Sequence, residues 1–513
     1  MEPIRKVSKK IEFEMKLSIG YDIGSSSIKG SLVDIESGTS LITDYYPKKE
    51  MKILSKEDGF AEQNVEEWWK NIQQVTQQIV YFIKEHGLSI SNIASIGISY
   101  QMHGIVLIDS QGKVLRDAII WCDSRGVSYG YDAEQKLGHD FCLKHLLNLP
   151  GNFTATKLAW IKEHEPEIFN RIYKVLLPGD YIAFRMTGKP TTTQSGLSEC
   201  MLWDYKRQEI STEMMNWLGL RNDQLGDVVP TFGVQGKLIK EIANELGLVE
   251  DIPITYRAGD QPNNAFSLGV LNPGEIVSTA GTSGVVYGIT ELPLYDELSR
   301  INTFIHVNNS QFQPRNGILL CINGTGCLYS FIKKLLDSDY NIMDELAEQV
   351  PIGSDGLVIL PFGNGSERML QNSSIGCSIE HLNFNVHTKQ HLIRASQEGI
   401  VFAFAYGIEQ MRNMGMSITT IKACYTNMFQ SELFVRTLSA VTNTTIELYQ
   451  TDGSLGAALA SAVGSGYFTS LNQALNSLKM VNKYTITKGE SIEYCQAYSN
   501  WKQVLNEHLS HNY

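Results

Sequence analysis

Two short turns of glycine, serine and threonine, half a chain apart, constrain the fold more than any other feature of this sequence. The first, Asp22-Ile-Gly-Ser-Ser-Ser27, follows an apolar run near the start. The second, Ala280-Gly-Thr-Ser-Gly284, follows another run near the middle of the 513 residues. Similar segments at this spacing indicate a duplicated domain. We therefore predict two lobes, residues 16–270 and 271–513, which pack against each other across a cleft and follow a solvated tail at residues 1–15.

The apolar pattern of the chain predicts an α/β fold, because short apolar runs alternate with segments of helical periodicity. The first turn lies between two such runs, which is typical of a hairpin. Strands are predicted at residues 16–22, 31–34, 93–99, 105–109 and 253–256, and a helix is predicted at residues 68–82.

The charge balance excludes classes of partner that depend on excess positive charge. Lys and Arg number 43 against 55 Asp and Glu, a formal net charge of −12. Such a chain is not expected to bind nucleic acid or an anionic membrane surface. The eight cysteines form no C-x-x-C pair, which favours free thiols in the reducing cytoplasm. The oligomeric state is not decided by the sequence, and a homodimer stays open.

The two glycine/hydroxyl turns are candidate phosphate sites. Turns of this composition expose backbone N–H groups, and such N–H groups bind phosphate oxygens. One copy alone is more typical of a hairpin corner, but a matched copy in each lobe favours phosphate. The chain has no G-x-x-x-x-G-K-[S/T] segment and no G-x-G-x-x-G after the first strand, so it is neither a P-loop protein nor a dinucleotide-binding one. The candidate residues are Gly24, Ser25, Ser26, Ser27, Gly281, Thr282 and Ser283.

Two carboxylates adjoin polar turns. Asp22 precedes the first turn and would repel a phosphate there unless a cation such as Mg²⁺ lay between them; the alternative is an aspartate that only stabilises the turn. Asp260 follows a predicted strand and precedes Gln261, and it could accept a proton from a bound hydroxyl. Its alternative role is that of a helix N-cap. His103, in a polar turn, is either a hydroxyl ligand or structural, and Trp121-Cys-Asp-Ser-Arg125 is either the wall of a sugar site or a salt-bridged loop.

The sequence resembles the FGGY family of carbohydrate kinases, in the hexokinase–actin–Hsp70 superfamily, over residues 16–467. The segments that carry the resemblance are Gly20-Tyr-Asp-Ile-Gly24, Gln101-Met-His-Gly104, Trp121-Cys-Asp-Ser-Arg125, Pro150-Gly-Asn-Phe-Thr154, Leu177-Pro-Gly-Asp180, Gly259-Asp260 and Gly281-Thr-Ser-Gly284.

The resemblance implies two duplicated ribonuclease H-like lobes, as in actin, hexokinase and Hsp70, with a cleft between them. It also implies ATP-dependent phosphorylation of a sugar with Mg²⁺ as the metal. Met102-His103 stands where glycerol kinases carry Arg-Glu, which favours a pentulose, D-xylulose, over glycerol. Ribulose, gluconate, fuculose and glycerol remain alternative substrates within the family. A non-catalytic, actin-like ATPase-fold protein is the alternative outside it.

The resemblance also implies roles for the candidate residues. Asp260 would be the general base, and Asp22 would help to hold Mg²⁺ at the phosphates. The first turn would contact the γ-phosphate, and the second the β/γ region. The sugar would be held by Met102, His103, Asp260 and Gln261, and further nucleotide contacts would come from Gly324, Asn427 and Gly456.

One departure from the family concerns the purine. Relatives carry a glycine-rich turn at the adenosine, whereas the aligned stretch here, residues 423–432, has no glycine. Side chains in place of glycine are expected to obstruct close backbone approach to the base. Either Asn427 or Ser431 then holds the purine in another way, or the affinity for nucleotide is altered. A second departure is Gly365-Ser-Glu-Arg368, which lacks the Thr-Pro that commonly follows Gly-Glu-Arg.

Overall fold

The computed structural model describes residues 15–373, 375–485 and 490–510, and no side-chain statement covers Glu367 or Glu490. In the first half, the strands are β1 (Leu17–Ile23), β2 (Ile28–Asp34), β3 (Thr39–Tyr46), β4 (Glu62–Gln63), β5 (Ile93–Tyr100), β6 (Val106–Ile108), β7 (Ala118–Ile119), β8 (Lys174–Leu176), β9 (Thr191–Thr193), β10 (Trp203–Asp204), β11 (Glu209–Ile210), β12 (Asp227–Val229), β13 (Phe232–Lys237) and β14 (Pro253–Gly259). The helices of that half are α1 (Val65–Glu85), α2 (Val127–Leu137), α3 (His139–Phe141), α4 (Thr154–His164), α5 (Pro166–Phe169), α6 (Pro178–Thr187), α7 (Gln194–Glu199), α8 (Thr212–Leu218), α9 (Lys240–Leu246) and α10 (Asp260–Ser267).

In the second half, the strands are β15 (Glu275–Ala280), β16 (Gly284–Thr290), β17 (Asn302–Ile305), β18 (Asn316–Ile322), β19 (Val358–Phe362), β20 (Gly376–Glu380), β21 (Thr420–Cys424), β22 (Thr445–Tyr449) and β23 (Met480–Tyr484). The helices are α11 (Thr325–Leu335), α12 (Tyr340–Ala347), α13 (Lys389–Asn413), α14 (Glu432–Thr442), α15 (Gly453–Gly464), α16 (Leu471–Ala474) and α17 (Glu490–Ser510).

Each half contains one large sheet, and the two sheets share a core topology. The first sheet runs β13-β14-β5-β1-β2-β3, and the second runs β17-β18-β16-β15-β21-β22-β23. In both, a central strand, β1 or β15, pairs antiparallel with its hairpin partner on one side and parallel with a later strand on the other. The predicted α/β fold of two duplicated lobes is therefore confirmed, and the two glycine/hydroxyl turns are the equivalent β1–β2 and β15–β16 turns.

The predicted elements form because their apolar faces have a sheet to cover. α1 begins after Asn64, whose side chain caps the helix by accepting from the backbone N–H of Glu66, and it buries Trp68 and Trp69. It packs on β2 and β3. β5, a nearly continuous apolar run, is buried along most of its length between parallel neighbours, as the interior of a parallel sheet requires.

Two helices cross between the lobes. α10 leaves β14 of the first sheet and packs against β15 and β16 of the second, and α15 leaves β22 of the second sheet and packs against β1, β5 and β14 of the first. The helices also contact each other, where a Cβ on Gly456 would lie 2.5 Å from the Cβ of Ser267. Because α10 contacts both sheets and α15 joins α10 to the first sheet, the two helices link the lobes.

Small residues allow α15 to lie directly on the first sheet. A Cβ on Gly20 would overlap the carbonyl oxygen of Ser454, and one on Gly97 would overlap that of Ala457. The hydroxyls of Ser95 and Ser461 are 2.9 Å apart across this contact. Glycine is needed on β1 and β5 for the close approach, not for backbone conformation.

The division at residue 270 stays a prediction, and α15 shows that the C-terminal part of the chain also covers the first sheet. Except for Met15, the predicted tail lies outside the described residues. Among the residues that the structure describes, no helix is long and apolar enough to cross a bilayer.

The close contact of α15 with the first sheet predicts that Gly97→Ala destabilises the protein. The added methyl group must push the helix backbone away from β5, at a cost of about 1–3 kcal/mol, as for other overpacked sites. Thermal unfolding followed by circular dichroism should show a lower midpoint. A midpoint equal to that of the unchanged protein would contradict the packing described here.

Candidate active site

Three neighbouring parallel strands of the first lobe end at the same edge of the sheet. β14, β5 and β1 lie side by side, with Tyr100 paired to Gly259 and Ser99 paired to Asp22. The residues that follow each strand, or close it, therefore meet. The structure brings together the sequence-predicted residues Asp22, Met102, His103, Asp260 and Gln261 at this edge.

Asp260 is the first residue of α10, and its carboxyl group is only partly exposed. Its Oδ1 accepts a 2.8 Å hydrogen bond from the backbone N–H of Gln261. Burial raises the pKa of Asp260 to about 7, and the charge of Asp22 contributes to the rise. The predicted alternative, a cap for a helix that begins at Asn263, is wrong because the helix already includes Asp260. A carboxyl with a pKa near 7 is suited to take up a proton at neutral pH.

Asp22 lies beside the N-terminus of the second crossing helix. Burial raises its pKa, while a hydrogen bond from Ser99 and the charge of Lys29 oppose the rise. A Cβ on Gly453 would lie 2.5 Å from Asp22 Oδ2, so glycine leaves room for the carboxylate there. Asp452, which the sequence analysis missed, accepts from the backbone N–H groups of Ser454 and Leu455. An aspartate just before a small-residue helix is an N-cap signal that could have identified it.

The residues at this edge fit a magnesium ion that also binds phosphate. Mg²⁺ keeps several waters and is held by one or two carboxylates together with substrate phosphates. Asp22 and Asp260 supply two carboxylates close enough for their charges to interact. No group of three or more His, Cys, Asp or Glu suited to a metal occurs among the described residues, and none is needed for such a shared site.

His103 presents a neutral ring. Its backbone is left-handed, with φ of 60°, and its backbone N–H donates to Glu199 Oε1 at 3.3 Å. Burial and the neighbouring charge of Lys157 lower the pKa of His103 to about 3. Nδ1 lies 3.1 Å from the carbonyl oxygen of Glu199, so Nδ1 carries the hydrogen and Nε2 is an acceptor. A sugar hydroxyl could donate to that Nε2.

Two buried ionisable residues, Lys157 and Glu199, contact the loop that carries Met102 and His103. Lys157 Nζ donates to the carbonyl oxygen of His103 at 3.0 Å, and burial lowers its pKa to about 8. Glu199, the last residue of α7, lies against the end of β14. A Cβ on Gly259 would be 2.8 Å from Oε2 of Glu199 and 2.5 Å from Cγ of Met102. Burial raises the pKa of Glu199 well above its usual range. No sequence motif marked Glu199, because its contacts join segments almost 100 residues apart.

Aromatic rings from both lobes surround His103. Its ring centroid lies 5.0 Å from that of Phe153 and 5.3 Å from that of Phe304, which belongs to β17 of the second sheet. Trp121 is about half exposed, and its Nε1 donates to Ser25 Oγ at 3.3 Å. The nearby Asp123 and Arg125 form a buried ion pair, so that part of the segment is a salt-bridged loop, as one of the alternatives predicted.

The second turn opens onto a separate cavity of about 550 Å³. Gly281 and Thr282 line one part of it, and Tyr329, Asp344 and Ser431 are also in its lining. The turn is fixed by α11, because Gly281 O accepts from the backbone N–H of Gly326 at 2.9 Å. The size and polar lining of this cavity suit the nucleoside part of a nucleotide.

Asn427 belongs to the glycine-free stretch at residues 423–432. Its φ of 52° is left-handed, a conformation that asparagine adopts more readily than other residues with a side chain. It lines the cavity with its Nδ2 beside Gly281, 3.6 Å from where a Cβ of that glycine would be. Asn427 and Ser431 both line this cavity, and the obstruction of close backbone approach to a purine stays a prediction.

The remaining predicted residues have these positions. Ser283 is exposed at the end of the second turn, and Gly324 precedes α11 with φ of 89°. In the first turn the backbone N–H of Gly24 donates to Ser27 O at 3.2 Å, and Ser26 is exposed. Gly456 is buried between the crossing helices, so the structure gives it a packing role. Contacts of these residues with phosphate or nucleotide stay predictions.

Family models match nearly the whole described chain. The N-terminal domain of the FGGY family of carbohydrate kinases matches residues 17–267, and its C-terminal domain matches residues 276–465. The chain belongs to the FGGY family of carbohydrate kinases.

Relatives within the family carry more than one substrate name. The chain is 30% identical to the xylulose kinase of Bacillus subtilis (strain 168) over 90% of each protein. The crystal structure of ligand-bound xylulose kinase from Lactobacillus acidophilus matches with a TM-score of 0.87 at 21% identity, covering 96% of this chain and 98% of that one. Gluconate kinase from the same species has an equal TM-score of 0.87 at 20% identity, with the same coverage. These structures establish the actin/hexokinase-like fold of this FGGY kinase and do not distinguish its substrate.

The raised pKa of Asp260 predicts that Asp260→Asn stabilises the protein free of metal and nucleotide at neutral and alkaline pH. Because the folded state holds its proton up to about pH 7 and the unfolded state only up to about pH 4, the stability contributed by Asp260 is present below pH 4 and lost as pH rises through 7. The difference in thermal midpoint between variant and unchanged protein should grow over that range in EDTA. A difference that stays constant from pH 4 to pH 8 would contradict the raised pKa.

The left-handed backbone at Asn427 predicts opposite outcomes for two substitutions. Asn427→Gly keeps this conformation available, so KM for ATP should stay close to that of the unchanged protein. Asn427→Val forces a β-branched residue into it at a cost of about 1–3 kcal/mol, which should distort the cavity wall and raise KM for ATP about tenfold or more. Steady-state kinetics at saturating sugar measure both. Equal KM values for the two variants would show that the conformation is unimportant.

Proposed function

We propose that this FGGY kinase transfers the γ-phosphoryl group of ATP to D-xylulose and forms D-xylulose 5-phosphate. The observation that carries the proposal is the Asp260 carboxyl group at the common edge of β1, β5 and β14, with a pKa of about 7. A sugar hydroxyl bound at this edge would have Asp260 as its proton acceptor. The two glycine/hydroxyl turns would hold the phosphates near it. The xylulose kinase relatives supply the choice of sugar.

The reaction needs positioning and charge neutralisation more than covalent chemistry from the protein. Asp260 takes the proton of the 5-hydroxyl group as that oxygen attacks the γ-phosphorus, and ADP leaves on the opposite side. The backbone N–H groups of the turns at 24–27 and 281–283 hold the phosphate oxygens. Asp22 would hold Mg²⁺, which would neutralise phosphate charge when it is bound, and Asp260 stays free to take up the proton.

The sugar is held on the side of His103. Nε2 of the neutral ring accepts from a sugar hydroxyl, and the rings of Phe153 and Phe304 exclude water around it. Exclusion of water by the closed cleft limits wasteful hydrolysis of ATP. We place the reaction in the cytoplasm, where ATP is available and where free thiols such as the eight cysteines of this chain persist.

A substrate panel tests the proposal. ADP release, coupled to NADH oxidation, is measured with ATP and Mg²⁺ and with D-xylulose, ribulose, gluconate, fuculose or glycerol. We expect the highest kcat/KM with D-xylulose. A higher kcat/KM with another sugar would overturn the choice of substrate. ATP turnover at the same rate without any sugar would favour an actin-like ATPase-fold protein that phosphorylates no sugar.

The role of Asp260 predicts that Asp260→Asn lowers kcat by about 10²–10⁴, the usual contribution of a general base. Its KM for the sugar should change little, since the amide still fills the same space. Asp140→Asn, at an exposed aspartate on α3, is the matched control and should leave kcat unchanged. Near-normal kcat in Asp260→Asn would remove Asp260 from the reaction.

A further inference from the structure

Arg368 reaches from the second half of the chain to a turn of the first lobe. It lies between β19 and β20 in sequence, and its Nη1 donates to Asn302 Oδ1 at 2.9 Å. Its guanidinium carbon lies 4.7 Å from the ring centroid of Phe153. The segment at residues 365–368, which departs from the family pattern, thus ends with a side chain that contacts the first lobe.

At Gly151, the first lobe leaves space for the guanidinium group of Arg368. A Cβ on Gly151 would overlap Nη2 of Arg368. The backbone of Gly151 is not in the left-handed region, so its conformation does not call for glycine. The absence of a side chain there is explained by the space that Arg368 occupies.

A chain of contacts leads from Arg368 at Gly151 to the sugar side of the cleft. Phe153 lies with one face toward Arg368 and packs edge-on against His103, with ring centroids 5.0 Å apart. The positive charge of Arg368 also helps to lower the pKa of His103, after burial and Lys157. Arg368 therefore acts on the geometry and on the charge state of the ring that would accept a sugar hydroxyl.

We propose that Arg368 is a positioning residue for the sugar, which clamps Phe153 against His103 from the opposite lobe. It acts through Phe153 and does not contact the reacting atoms. Because Arg368 is carried by the lobe that holds the nucleotide cavity, the clamp fixes the sugar side relative to the nucleotide side. The inference rests on the proposed sugar kinase activity and adds a specificity-determining contact to it.

Gly151→Ala tests the clamp without changing any charge. The new methyl group displaces only the mobile end of the Arg368 side chain, so the thermal midpoint should stay within about 2 °C. KM for the sugar should rise about tenfold, as expected when a ligand-contacting group is misplaced, while KM for ATP stays within about twofold. Arg368→Lys keeps the charge but not the planar contact with Phe153, and it should show the same pattern.

The double variant, Gly151→Ala with Arg368→Lys, should be no worse than either single one, because both remove the same contact. Arg412→Lys is the matched control. Its guanidinium donates to the carbonyl oxygens of Ile418 and Thr442 in the second lobe, and the substitution should leave KM for the sugar unchanged.

The outcomes separate the two proposals. If the unchanged protein phosphorylates a sugar and KM for that sugar is the same in both single variants, the clamp is wrong and the kinase function stands. Equal rises in the KM values for sugar and ATP, or a large fall in thermal midpoint for Gly151→Ala, would also overturn it in favour of a purely structural contact. An unchanged protein that phosphorylates no sugar of the panel overturns the proposed function and the clamp together.

Discussion

Asp22 and Asp260 share one edge of the first sheet, and the burial of these two carboxylates sets the chemistry that we propose for this protein. Both groups are shielded from water, and the charge of Asp22 adds to the burial that raises the pKa of Asp260. Like charges in a low-dielectric site favour the uptake of a proton or a cation. In the function that we propose, the burial and the repulsion that cost stability in the free protein prepare Asp260 to accept a proton and Asp22 to accept a metal with its phosphates.

Asp22 and Asp260 are held close together because the helices beside them are packed against both lobes. α10 starts at Asp260, and α15 starts beside Asp22, and each helix is packed on the sheet of the opposite lobe. Gly20, Gly97 and Gly456 bring the backbone of α15 against two strands and against α10. The helices could not separate to relieve the carboxylates without breaking contacts on both sheets. Asn148, whose amide bonds the backbone of Thr303 in both directions, adds a further link between the lobes.

Local patterns were sufficient to predict the fold and part of the site. The duplicated turns marked the two equivalent hairpins, and Asp22 and Asp260 were identified because each closes an apolar strand. Glu199 and Phe304 were missed, since their importance arises from contacts between distant segments that no single stretch reveals. Asp452 was missed although its position just before a small-residue helix is a local signal. Asn427 was identified, but the sequence does not show its left-handed backbone. Gly456 was identified as a nucleotide contact, and the sequence does not show that it also lies in the contact between α10 and α15.

The most direct measurement is a crystal structure of the protein with D-xylulose, ADP and Mg²⁺. A hydroxyl of the sugar should lie within about 2.6–3.2 Å of an Asp260 oxygen, the range for proton transfer, and should point toward the terminal phosphate of ADP. A sugar bound with all its hydroxyls beyond that range of Asp260, or a nucleotide placed outside the cavity beside Gly281 and Asn427, would contradict the assignment of this edge as the active site.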